Sequence, residues 1–119
     1  MSILFLDDNA GRLSKFASEN PEARLVMTVQ ETIDALQSQY WDEVWLDHDL
    51  GGEIFVDSSR ADCGMEVVRW ITTFSNSKNI GKIIVHTANQ PAAVRMETLL
   101  NDYGYHVTRY PFDGVYDYR

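Results

Sequence analysis

Cysteine is nearly absent from this chain: Cys63 stands alone among 119 residues. No internal disulfide can form, so the fold must be held by its core, as in proteins of a reducing compartment. Basic residues are scarce as well. Lys and Arg number 10 against 18 Asp and Glu, for a net charge of −8 and a pI near 4.6. A groove for a long nucleic acid needs a basic stripe to neutralise phosphates, and none is visible. A small anion held through a metal stays compatible with this balance, because a bound cation reverses the local sign. A nucleotide or an RNA end is therefore left open. Long apolar runs are missing too, so no membrane span is expected. Residues 1–6 are too short and lack the basic flank of a signal peptide, which makes the cytoplasm the expected location. Repeats, low-complexity tracts and linkers are also lacking. At this length, residues 1–119 read as a single domain.

What is present is 45% hydrophobic, enough for one continuous core. Five short apolar runs stand out: Ile3-Leu4-Phe5-Leu6, Leu25-Val26-Met27, Val44-Trp45-Leu46, Ile83-Ile84-Val85 and a weaker His106-Val107-Thr108. Near-continuous runs like the first, third and fourth are expected of strands buried on both faces, as in parallel sheets. Helical spacing fills the gaps. Leu13, Phe16 and Ala17 follow a capping Asp8-Asn9, and Thr28 with Glu31 forms a capping box ahead of Ile33 and Leu36. Met65, Val68, Ile71 and Phe74 make a third stripe; Ala92, Met96, Leu99, Leu100 and Tyr103 make a fourth, stopped by Gly104. The right-handed crossover rule turns this strand–helix alternation into an α/β doubly wound, three-layer parallel sheet with helices on both faces. After the fifth strand only residues 110–119 remain, with Pro111 and Gly114, too few for a normal fifth helix. The sheet face that such a helix would cover is expected to meet the aromatic tail (Phe112, Tyr116, Tyr118) or a partner chain, as in a homodimer.

In such a sheet the reactive site lies outside the carboxyl ends of the strands. Those ends are polar here: Asp7-Asp8 after the first strand, Asp47-His48-Asp49 after the third, His86-Thr87 and then Asn89 after the fourth, Arg109-Tyr110 after the fifth. Carboxylates gathered so closely raise one another's pKa, so a cation is their natural partner. Oxygen-rich sites suit Mg²⁺ or Mn²⁺; added imidazoles widen the choice to Fe²⁺ or Zn²⁺. Plainer roles compete. Asp8 could be only a helix cap, His48 and His86 could be solvated loop residues, and Cys63 reads as a small core residue rather than a nucleophile. His106 lacks acidic neighbours and reads as structural. The coincidence at strand ends favours a site.

Leu6-Asp7-Asp8, Trp45-Leu46-Asp47, Thr87-Ala88 and Pro111-Phe112 together resemble the response-regulator receiver family. The resemblance spans nearly the whole chain and implies a flavodoxin-like sheet of order 2-1-3-4-5, with the final helix missing or truncated. It places Asp47 at the phosphoacceptor position and Asp7 and Asp8 at the metal-binding acid pair. Asp49 falls where a backbone carbonyl completes the metal shell, and Thr87 at the switch hydroxyl. One departure matters: Tyr110 stands where receivers carry a Lys that neutralises the phosphoryl group, which puts ordinary phosphorylation signalling in doubt. Arg109 is adjacent, but strand alternation points it the other way. The histidines beside the acceptor and switch positions, and the long loop 51–62, are also unlike a standard receiver.

These departures, in Leu6-Asp7-Asp8 with Arg12, Trp45-Leu46-Asp47-His48-Asp49-Leu50-Gly51 and Val85-His86-Thr87, resemble a narrower branch, the cyclic-phosphate processing receiver-like domains of bacteria and phages. That resemblance implies the handling of cyclic phosphate ends, such as those on damaged RNA. The expectation is a metal-dependent phosphodiesterase acting on a small cyclic nucleotide or an RNA 3′ end. The metal would be held by Asp8, Asp47 and Asp7 or Asp49. Of His48 and His86, one would accept a proton and the other return it to the leaving oxygen, and Arg12 or Arg60 would clamp the phosphate. For Arg60 a solvated loop charge is an equal reading. Asn89, Arg109 and Tyr110 complete the expected substrate contacts. Two other classes stand beside this enzyme: a signalling module phosphorylated on Asp47, and a non-catalytic binder of a nucleotide or partner.

Overall fold

The computed structural model describes residues 1–50, 56–75 and 78–110. Its elements alternate as β1 (Ile3–Leu6), α1 (Ala10–Glu19), β2 (Arg24–Val26), α2 (Val29–Ser38), β3 (Trp41–Leu46), α3 (Gly64–Phe74), β4 (Ile80–Val85), α4 (Gln90–Asp102) and β5 (Val107–Arg109). The five strands form one sheet in the order β2-β1-β3-β4-β5, and every pairing is parallel. This is the architecture expected from the alternation of apolar runs and amphipathic stripes. The tail 111–119, to which the expectation of a missing fifth helix applies, lies outside the described residues, as does most of the loop's Gly-rich start.

Register explains how one sheet serves two different layers. Phe5 pairs with Trp45, Trp45 with Ile84, and Ile84 with Thr108, and laterally paired residues share a face. The alternate positions, Leu4 and Leu6, Val44 and Leu46, Ile83 and Val85, belong to the main core together with Ala35, Leu36, Met65, Val68, Ile71, Met96 and Leu100. That face is therefore covered by α2, α3 and α4. On the opposite face α1 lies against β1, with the Phe16 ring stacked on Phe5 at 3.9 Å between centroids. The aromatic contacts continue from Phe5 to His86 at 4.7 Å, from His86 to Trp45 at 5.9 Å and from Trp45 to Tyr110 at 5.5 Å.

Helix ends follow the sequence signals closely. Asn9 caps α1 by accepting from the Arg12 N–H, so the cap does not consume the Asp8 side chain. The Thr28–Glu31 capping box is formed in both directions. Gly104, with φ of 89°, follows the α4 C-cap Tyr103 in the left-handed region that a Cβ disfavours. Two strands begin earlier than expected. β3 starts at Trp41 and β4 at Ile80, because Asp42, Glu43 and Lys82 interrupt the apolar pattern. Each is absorbed by pairing: Asp42 accepts from the Ser2 N–H at 2.7 Å, and Glu43 faces Lys82 at 3.9 Å across neighbouring strands.

Candidate functional site

β1 and β3 are neighbours, so their carboxyl ends deliver Asp7, Asp8 and Asp47 to one point. One carboxylate oxygen from each lies within 4.8 Å of those of the other two. Asp7 is fully buried and Asp47 nearly so. The side chain of Arg12, one turn into α1, enters the same cluster. It donates to Asp7 Oδ2 through Nε at 2.7 Å and to Asp7 Oδ1 through Nη2 at 3.0 Å. Nη2 also stands 3.9 Å from both Asp8 Oδ1 and Asp47 Oδ2. Arg12, expected as a phosphate clamp, is held by a fork onto Asp7 and is the guanidinium nearest the three acids.

Three carboxylates and one guanidinium leave two negative charges in excess when all are ionised. Burial pushes the Asp47 carboxyl well above the usual carboxylate range, and the Asp7 charge adds to it. Arg12 and the His48 N–H, which donates to Asp47 Oδ1 at 2.8 Å, oppose the rise, and Asp8 reinforces it. Burial works against the Arg12 charge as well, but the hydrogen bonds to Asp7 and the three carboxylates outweigh it and raise its pKa. The donor set is all oxygen, and its excess charge equals that of a divalent cation. It fits a hard ion of that kind, with Asp7, Asp8 and Asp47 able to hold it.

The two histidines take different places. Both stand at strand ends as expected, but neither is a solvated loop residue, since both are buried: His48 is 0% exposed and His86 6%. The reason is packing. His86 lies on the aromatic face between Phe5 and Trp45, and its Nε2 hydrogen-bonds the Leu6 carbonyl oxygen at 3.0 Å. Since a carbonyl only accepts, Nε2 carries the proton, and the bare Nδ1 is turned toward Asp7 Oδ2 at 3.7 Å. Burial lowers its pKa to about 4, against the opposing pull of Asp7 and the Leu6 carbonyl and with help from Arg12. The ring is therefore neutral at physiological pH, and its approach to Asp7 is not an ion pair.

His48 belongs to a separate network rather than to the carboxylate cluster. Its Nδ1 meets Asp49 Oδ1 at 2.7 Å and its Nε2 meets Ser58 Oγ at 3.0 Å. The same Asp49 oxygen accepts from Val56 N–H at 3.0 Å and from Asn89 Nδ2 at 3.2 Å. Asp49, expected beside the metal, thus spends its carboxylate tying the loop after β3 to the start of α4. Asn89 was expected to touch substrate. Its amide is used on both sides, since Oδ1 caps α4 through Ala92 N–H while Nδ2 serves Asp49.

The remaining expected residues divide in two. Arg60 forks onto Asp62 at 2.9 and 2.6 Å on the exposed part of the loop, outside the cluster. Thr87 is buried, its Oγ1 accepting from Asn89 N–H at 3.1 Å. Arg109 turns toward α4 and pairs with Glu97 at 3.2 Å. Thr87, Arg109 and Tyr110 share a cavity of about 280 Å³ at the carboxyl ends of β4 and β5 with Val85, Gln90 and Ala93.

Two participants escaped the sequence reading. Ser58 gave no signal beyond membership of a polar loop. Gly64 had a readable one, a glycine at the very start of a helix. Its N–H donates to the His48 carbonyl at 2.8 Å. A Cβ there would overlap the Asp47 carbonyl oxygen and come within 2.8 Å of the His48 Cα. Cys63 beside it is buried, a core residue as expected.

Receiver domains are among the solved structures with the same architecture. A CheY-like response regulator receiver domain from Methylobacillus flagellatus superposes with a TM-score of 0.63 at 14% identity, over 95% of this chain and 88% of that one. The signal receiver domain of a putative LuxO repressor protein from Vibrio parahaemolyticus gives 0.58 at 17%, over 94% and 79%. A structure described as adenylate cyclase from Rhodopirellula baltica gives 0.62 at 18%, over 95% and 78%. At such identities the likeness shows the fold. No curated protein sequence matches the chain. The family model described as the cyclic-phosphate processing receiver domain matches residues 2–102. Those residues hold the sheet through β4, the whole carboxylate cluster, both site histidines and α4, and by that match the chain belongs to the cyclic-phosphate processing receiver family.

Proposed function

We propose that this domain hydrolyses a cyclic phosphate, of a nucleotide or of an RNA end, with Mg²⁺ or Mn²⁺ held by Asp7, Asp8 and Asp47. The observation that carries the reading is the bare Nδ1 of His86 turned toward the carboxylate cluster. A module that only accepts a phosphoryl group on Asp47 needs no such proton acceptor. When bound, a divalent ion supplies Lewis acidity toward a phosphate oxygen and lowers the pKa of water. His86 would receive the proton of the attacking water as the new P–O bond forms and one ring P–O bond breaks, and would return that proton to the departing sugar oxygen. Its Nε2–H is anchored on Leu6, so the accepting lone pair keeps a fixed direction. Its low pKa keeps the acceptor form present at every physiological pH. Arg12 balances the acids and, being 3.9 Å from Asp47, is placed to share its charge with an entering phosphate. The all-oxygen donor set supports Mg²⁺ or Mn²⁺ over the softer ions.

A signalling module is favoured by one observation. Arg12 brings a positive charge from α1 to within 3.9 Å of Asp47, so a phosphoryl group on Asp47 would not lack a cation although Tyr110 supplies none. One paired measurement separates the readings: turnover of 2′,3′-cyclic nucleotides and of cyclic-phosphate RNA ends with Mg²⁺ or Mn²⁺, and labelling of Asp47 by a small phosphodonor. His86→Asn is expected to lower turnover by roughly 10²–10⁴-fold, the span of a lost general base, and to leave labelling in place. Stable labelling of Asp47 with no turnover under either metal rejects the hydrolase in favour of signalling.

A further inference from the structure

Outside the carboxylate cluster, one constellation joins a hydroxyl, an imidazole and a carboxylate in a row. Three donors converge on Asp49 Oδ1: the His48 ring at 2.7 Å, the Val56 N–H at 3.0 Å and the Asn89 amide at 3.2 Å. An ionised carboxylate suits that load, and it only accepts, so His48 Nδ1 carries its proton. In the neutral ring Nε2 is then bare, and it faces Ser58 Oγ at 3.0 Å. The hydroxyl donates there. Nucleophile, base and the acid that orients the base thus stand in hydrogen-bond contact in the order that serves nucleophilic catalysis.

A hydroxyl that merely satisfies a buried ring would look the same up to this point, and two further contacts separate the cases. Arg95, an exposed residue of α4, brings Nη1 to 3.5 Å from Ser58 Oγ. Its charge favours an alkoxide there and any anion that meets it. The Ser58 main chain is also fixed. Arg69, paired with Glu66 at 2.7 Å, donates to the carbonyl oxygens of Ser58 at 2.7 Å and Arg60 at 2.8 Å. Ser58 itself is half-buried, so a small reagent can reach its oxygen.

We propose that Ser58 is an activated nucleophile that accepts an acyl group from an acyl phosphate, with His48 as its base, Asp49 as the orienting acid and Arg95 as the anion partner. Burial chooses this donor class. His48 is 0% exposed, so it can take the Ser58 proton but does not reach a leaving group. The leaving group must depart unaided as an anion, as a phosphate does and an alkoxide or amine does not. In the step, the Ser58 Oγ–C bond forms and the C–O bond to phosphate breaks, its electron pair leaving with the phosphate. The hydroxyl proton ends on His48 Nε2, giving an imidazolium beside Asp49. No water reaches the buried ring for a second round, so the acyl group stays on Ser58. The site shares no side chain with the carboxylate cluster, and the inference stands independently of the hydrolase.

The probe is acetyl phosphate, with chelator present to keep metal from the carboxylate cluster, and peptide mass spectrometry reads the product on the whole chain. Wild type should gain one acetyl group on Ser58, roughly 10²–10⁴-fold faster than on the exposed Ser59 beside it, the span of general-base help. His48→Gln should remove that advantage. Arg95→Ala, an exposed change, should slow the acetylation several-fold, and it carries the test if melting curves show that His48→Gln does not fold. Acetylation of Ser58 no faster than of Ser59 overturns the proposal, as does a Ser58 rate that is unchanged in every folded variant. A phosphoryl group on Ser58 in place of acetyl overturns the acyl donor.

Discussion

At the scale of the residue, His86 is held neutral by its surroundings, and that has a measurable sign. In the unfolded chain an imidazole titrates near 6.5, and in the fold near 4. Between these values the unfolded state binds the extra proton, so stability is intact above the upper one and is lost as pH falls through the window. The full loss is on the order of 3 kcal/mol, since each pKa unit corresponds to about 1.4 kcal/mol. Asp47 acts in the opposite sense: with its pKa raised in the fold, it weakens the fold as pH rises. The two effects overlap, so a difference curve is required. With chelator present, denaturant stability of wild type minus that of His86→Gln should decline steadily from pH 7 to pH 4. A flat difference would mean that His86 is not buried neutral. The same residue marks what a sequence can reveal. His86 was legible as a strand-end imidazole, but the tautomer and the burial come from Phe5, Trp45 and the Leu6 carbonyl, which only the fold brings together.

At the scale of the element, the start of α3 sets the shape of the loop that bears the acceptor acid. The helix begins against the Asp47–His48 backbone, and Gly64 is the point of contact. Both opposing atoms are main chain, so neither can yield as a flexible side-chain end would. Gly64→Ala should cost about 3 kcal/mol, the upper end of the overpacking range, despite the better helix propensity of alanine. It should also weaken any response to divalent metal, because the segment that must move carries Asp47. Denaturant titrations with and without Mg²⁺ check both, and a gain in stability would refute the close approach. Elements differed in how legible they were. Thr28–Glu31 and Gly104 announced their helix ends because those signals act over a few neighbouring residues. The early starts of β3 and β4 did not, because Asp42 and Glu43 are satisfied by Ser2 and Lys82, partners distant in the chain. The contact between Asp49 and Asn89 was not legible for the same reason: their carboxylate and amide meet each other across 40 residues.

At the scale of the molecule, the sheet order places β1 beside β3 and thereby concentrates three acids where only one guanidinium answers them. A fold selected for stability alone would not leave that excess, and a variant can expose the conflict. Asp47 bears the largest penalty, because burial and Asp7 both disfavour its charge. Replacing it with asparagine keeps the shape and an acceptor for the His48 N–H while removing one charge. In chelator at pH 7, Asp47→Asn should therefore be more stable than wild type by on the order of 1–2 kcal/mol, the scale of a relieved buried charge. Divalent metal should reverse the ranking. An ion that binds only the folded state adds about 2.7 kcal/mol at a hundred times its dissociation constant. Wild type should gain that increment with Mg²⁺ or Mn²⁺ and Asp47→Asn little of it, while Asp102→Asn, remote from the cluster, should behave as wild type in both buffers. The measurement is a set of melting curves for the three proteins across a metal titration. If Asp47→Asn melts below wild type in chelator, the carboxylate is not under strain from its neighbours. If it keeps the full metal shift, the ion binds elsewhere and the strand-end cluster loses its claim to be the site.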